Sequence, residues 1–187
     1  MMITLREVFD AILMAVVIGF IFKDWIAKNK TNMLDLTSYN SQTWKDFLFS
    51  MAVIAPAIIL HEAAHKFVAQ GFGLEAVFHA HYTFLGLGIL LKLLNFGFIF
   101  VVPGFVSIVG SGFPWQFALI AFSGPAVHGL FWIIGKLALR SHNLNDNQTK
   151  FWILTSKING FLFILNMLPI PGIDGFSFYS NIIKAFF

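Results

Sequence analysis

Cysteine is absent from this 187-residue chain, which excludes disulfides and thiolate metal sites. Any transition metal would have to be held by histidine and carboxylate. Charge is scarce as well: 11% of the residues are charged, against about 25% in an ordinary soluble domain. The twelve Lys and Arg residues are scattered, with no basic stripe beside exposed aromatics, so nucleic acid is not an expected partner. A signal-peptide cleavage site is also missing. The apolar run AILMAVVIGFIF ends at Phe22 and is followed by Lys23, Asp24 and Trp25 rather than by small residues, and is read as a retained first span over residues 8–26, with Asp10 as its weakest point.

What the chain does contain is apolar bulk. Hydrophobic residues make up 58% of it, including 24 Phe and five Trp, as expected where an outer surface meets lipid. The expected architecture is a membrane all-α, multi-pass helix bundle of about four to six spans in a prokaryotic cell membrane. Residues 27–43 are polar and read as a loop. A second span covers 44–70, with Pro56 expected to kink it and Gly71 and Gly73 to end it. Residues 74–112 change character: LEAVFHAH alternates, FGFIFVVPGFVSIV is rich in strand formers, and six glycines punctuate the stretch from Gly86. This is read as a re-entrant or β-hairpin element between the second span and the next. Further spans follow at 115–139, containing Gly124, Pro125 and His128, and at 151–168, with a polar loop at 140–150 and a short tail at 176–187.

The most informative residues are HEAAH, at 61–65, which close an uncharged run of fourteen residues. On a helix His61 and His65 lie one turn apart on one face, with Glu62 beside them. Two imidazoles at that spacing can hold one Zn²⁺, and a glutamate can take a proton from zinc-bound water. Such groups are costly in a bilayer and mark function there. A catalytic zinc usually takes a third protein ligand. Asp174 is the best candidate, at the end of an apolar span where Pro169 and Pro171 stop the helix and Gly172 and Gly175 free the backbone.

The chain resembles the site-2 protease family of intramembrane zinc metalloproteases. HEAAH matches that family's HExxH, and Asn166, Pro169, Pro171, Asp174 and Gly175 match its NxxPxPxxDG. Gly124-Pro125 looks like its small-Gly-Pro element. His128 stands where the family often has Asn, and Phe176 where a second Gly often follows the Asp-Gly pair. The resemblance implies that His61, His65 and Asp174 bind one zinc, that Glu62 is the general base, and that Asn166 positions the scissile peptide. His128 is a candidate for a place just behind the metal ligands. The implied substrate is a single-span membrane protein cut in or near its transmembrane helix, held by strand addition in 74–108. The whole chain, 1–187, is then one integral membrane protease domain, with 1–43 as first span and polar loop and 44–187 as catalytic core.

Span direction gives an independent check. His61, His65 and Asp174 share a depth only if their spans run the same way, which one crossing between them achieves if 74–112 adds none. The rival reading is a non-enzymatic membrane metal binder or transporter, needing a second ligand cluster that only His79, His81 and His128 could supply. His79 and His81 are otherwise interface or substrate-channel residues, and His142 a solvated loop residue.

Overall fold

The computed structural model describes residues 3–32, 43–96, 102–141 and 143–187. Parts of the expected polar loop and of the stretch FGFIFVV, together with His142, lie outside the described residues. The elements run α1 (Leu5–Asn32), α2 (Thr43–Gly71), β1 (Glu75–Ala80), α3 (Tyr82–Leu93), β2 (Gly104–Val109), α4 (Pro114–Ala138), α5 (Asp146–Asn166) and α6 (Asp174–Phe186). Helices dominate, and β1 and β2 form a two-stranded sheet.

Two helices among the described residues are long and apolar enough to cross a membrane, within Trp44–Gly71 and Pro114–Ala138. The expected first and last spans are helical but fall outside that set. The physical reason is polarity: α1 carries Arg6, Glu7, Asp10, Lys23 and Asp24, and α5 carries Lys150, Lys157 and several Asn, Gln, Thr and Ser. The expected strand-bearing stretch contains β1 and β2, and also a helix, α3, that its glycines concealed. The expected tail is a helix too, α6.

The chain divides into two compact units, with the division falling after Pro56 within α2. One unit contains Ile3–Pro56 and His79–Phe105. There α1 packs on α3, and Lys92 near the end of α3 donates to the Ile21 carbonyl at 3.1 Å and pairs with Asp24 at 2.7 Å. Asp10 is fully buried. Its carboxylate accepts from the Ala80 N–H at 3.2 Å and from the Tyr82 hydroxyl, which accounts for a charge in the middle of an apolar sequence.

The other unit contains Ala57–Phe78 and Val106–Phe187. Here α2 ends in a Schellman turn: Gly73 takes φ +79°, its N–H bonds the Gln70 carbonyl, and the Leu74 N–H bonds that of Ala69. Leu74 then joins Ala69, Ala76 and Ile120 in a buried cluster. Along this part of β1 the even positions Ala76 and Phe78 are buried, as a half-buried strand requires. Pro114 opens α4, with the Phe113 N–H held by the Gln116 side chain. Asn145 and Gln148 cap α5 reciprocally.

Helix α4 packs against both α5 and α6. The α4–α5 seam depends on glycine: a Cβ on Gly135 would lie 2.8 Å from Ser156 Cβ, and one on Gly160 would lie 3.1 Å from the Trp132 ring. Close backbone approach of this kind stabilises helix pairs where the surroundings are apolar.

Asp10→Ala should strand a buried N–H and a hydroxyl and cost about 1–3 kcal/mol. Asp24→Ala, at an exposed pair, should cost under about 1 kcal/mol. Thermal unfolding of both variants in detergent micelles checks the contrast, and equal losses would contradict it.

Candidate metal centre

Every residue of the centre lies in the unit built from Ala57–Phe78 and Val106–Phe187. His61 and His65 stand one turn apart near the end of α2, and both are buried. Asp174 is the first residue of α6. Between α5 and α6 the chain cannot stay helical, because Pro169 and Pro171 lack an N–H and Gly172 reverses the backbone at φ +90°. The turn is closed by Ile170 and Ile173 N–H groups bonding the Leu168 and Ile170 carbonyls. A Cβ on Gly175 would lie 2.5 Å from the Leu168 carbonyl oxygen and from the Met167 carbonyl carbon. Only glycine lets the start of α6 sit this close to the turn, and that seats Asp174.

The three side chains meet at their polar atoms. His61 Nε2 lies 3.1 Å from His65 Nε2, and Asp174 Oδ2 lies 3.1 Å from the first and 3.3 Å from the second. Among the described residues this is the one group of three His or acidic side chains gathered tightly enough to hold a metal ion.

Protons decide what this cluster can be. His65 Nδ1 lies 2.7 Å from the Ile120 carbonyl, which can only accept, so Nδ1–H donates and Nε2 keeps its lone pair. The same carbonyl also takes the Ser123 hydroxyl at 2.7 Å. A carboxylate oxygen and a bare imidazole nitrogen therefore face one another and His61 Nε2 at contact distance, an arrangement that calls for a cation. Zinc bonds of about 2.0–2.1 Å at tetrahedral angles separate ligand atoms by roughly 3.3 Å, and the observed separations fit.

A second feature fits the same group. Gly124 of α4 faces the Nε2 side of the imidazoles so closely that a Cβ there would press on His65 Nε2 and lie 2.7 Å from both Cε1 and Nε2 of His61. Glu62 is 8% exposed and lies within electrostatic reach of all three side chains. His128 packs its ring 4.7 Å from that of His61. Asn166 closes α5, half-buried, and its amide bonds none of the three clustered side chains.

His79 and His81 are not part of the centre. His79 is in β1, while His81 lies just beyond it and donates its N–H to the Pro103 carbonyl; both rings pack on Phe105. Asn159, fully buried on α5, hydrogen-bonds His128 and went unnoticed in the sequence. The one available signal was an amide in the apolar half of α5.

Gly124→Ala and Gly175→Ala should each weaken zinc binding at least about tenfold while the helical content holds, the first by displacing imidazoles and the second by displacing Asp174. Competition with a chromophoric chelator reads the affinity and circular dichroism reads the fold. Unchanged affinity in both would mean that neither close approach positions the ligands.

No family model and no solved structure matches the chain. It is 33% identical over 177 residues to a protein of Methanocaldococcus jannaschii named "Putative zinc metalloprotease", an alignment covering 91% of this chain and 81% of that one. With this relative, and with HEAAH folded against an aspartate from the far end of the sequence, the chain belongs to the zinc metalloprotease family that includes the M. jannaschii protein.

Proposed function

We propose that this protein is an intramembrane zinc metalloprotease of the site-2 type. On this reading it hydrolyses a peptide bond in or near the transmembrane helix of a single-span membrane protein. The observation that carries the reading is the convergence of His61, His65 and Asp174 from HEAAH and NMLPIPGIDG. Each motif alone has ordinary explanations, a polar helix end or a turn aspartate. Two apolar helices long enough to cross a membrane support the membrane setting, since one of them carries both histidines. The finer picture, a polytopic bundle with α1 and α5 also embedded, rests on the apolar composition.

His61, His65 and Asp174 would hold the zinc, which would supply Lewis acidity for the scissile carbonyl and for water. Glu62 takes a proton from the attacking water as the oxygen bonds to the carbonyl carbon. The C–N bond then breaks, and Glu62 delivers the proton to the leaving nitrogen, giving a carboxylate and an amine. Asn166, at the last turn of α5, orients the substrate peptide through its amide. A two-stranded sheet leaves an unpaired edge on each strand, and an unwound substrate segment adds to one of these.

Glu62→Gln should keep one zinc per chain and lower cleavage of a one-span test substrate by about 10²–10⁴-fold. Asp174→Ala should lose both zinc and cleavage, and chelation of the wild type should abolish cleavage until zinc is restored. Metal content by plasma emission, read beside gel-resolved cleavage, separates these outcomes. A Glu62→Gln protein that still cleaves would remove Glu62 from the mechanism. Metal flux into proteoliposomes without cleavage would favour a transporter.

A further inference from the structure

His128 is the one imidazole beside the metal centre that the mechanism above does not use. It is 2% exposed, on α4, with its ring 4.7 Å from that of His61. It does not join the ligand cluster, which consists of His61, His65 and Asp174.

The two nitrogens of His128 have different fates. Nδ1 lies 2.9 Å from Asn159 Oδ1. The orientation of that amide is fixed from behind, because Asn159 Nδ2 donates to the Thr155 carbonyl at 2.8 Å. An amide oxygen only accepts, so His128 Nδ1 carries the proton and donates it to Asn159. Nε2 is left with its lone pair, and among the described residues it has no hydrogen-bond partner. That nitrogen is free to accept from a group that enters the site. Thr155, Asn159 and His128 are thus aligned across the α4–α5 seam, with the His128 ring beside that of His61 and one nitrogen open.

We propose that His128 Nε2 is a catalytic hydrogen-bond acceptor of this centre and that Asn159 is its positioning residue. The donor is an N–H or O–H held at the metal, either the attacking water or the scissile amide of the substrate. Water offers two protons: Glu62 removes one, and His128 holds the other so that the oxygen lone pair faces the carbonyl. A scissile N–H on the same acceptor would instead be gripped before the reaction. The proposal rests on the protease reading above and adds a third polar participant to it.

The test uses the full chain in detergent micelles with a one-span substrate. His128→Phe keeps a ring but no acceptor. His128→Gln restores an amide oxygen near the Nε2 position, and Asn159→Leu removes the tautomer lock at similar volume. All three should bind one zinc per chain. His128→Phe should lower kcat/KM at least about tenfold, His128→Gln should recover most of that loss, and Asn159→Leu should fall between. The double variant should be no worse than His128→Phe alone, since Asn159 acts through His128. A loss confined to kcat identifies water as the donor, and a rise confined to KM identifies the scissile N–H. Independently of activity, ¹⁵N NMR of the metal-free protein should show His128 protonated at Nδ1 in the wild type and a tautomer mixture in Asn159→Leu. An unimpaired His128→Phe, zinc loss in both His128 variants, or an Nε2-protonated wild type would overturn the proposal. A wild type that binds zinc and cleaves nothing defeats the protease reading and this role with it, whereas an active wild type beside an equally active His128→Phe defeats the role alone.

Discussion

Three electron-rich atoms held 3.1–3.3 Å apart are the constraint on which this structure turns. Left alone they repel, so the fold must force them together and a cation must reward the arrangement. The forcing is done largely by missing side chains. Gly124 lets α4 press on the two imidazoles, and Gly175 lets α6 begin against the turn that follows α5. The Ile120 carbonyl then fixes which nitrogen of His65 is bare. Orientation of a ligand from behind is as much a part of a metal site as the ligand itself.

The same economy of polar groups recurs away from the centre. Asp10, Asn159 and His128 are buried polar side chains, and each has a partner: Ala80 and Tyr82 hold the first, and the other two hold one another. Where water is scarce, an unmet donor or acceptor has nothing to fall back on. Buried polar residues that find partners in this way read as joints between elements.

Much of the centre was legible beforehand because its chemistry depends on spacing. His61 and His65 at i and i+4, and Asp174 after two prolines, need no tertiary information to be singled out. Asn159 was not legible, since a lone amide in an apolar stretch has no periodic partner and gains meaning only when α5 lies on α4. Helix α3 was hidden by Gly86 and Gly88, which locally disfavour a helix; packing against α1 and the Lys92 anchor override that preference. The span count was the weakest reading. Bulk composition does not say which helices carry the polar residues, and α1 and α5 carry many.

Helix α6 has a mechanical consequence. Its first residue is Asp174, followed directly by Gly175, which seats it against the preceding turn. Phe178, one turn on, stacks near Phe122 of α4 at 5.4 Å, so the helix is braced close to its start. Any slide of α6 along its axis as a rigid rod moves the carboxylate by the same amount, at a centre where a few tenths of an ångström matter. The helix is in effect a handle on the cluster, and a load placed on its far end, such as a fused tag or an immobilising tether, shifts Asp174 relative to His61 and His65.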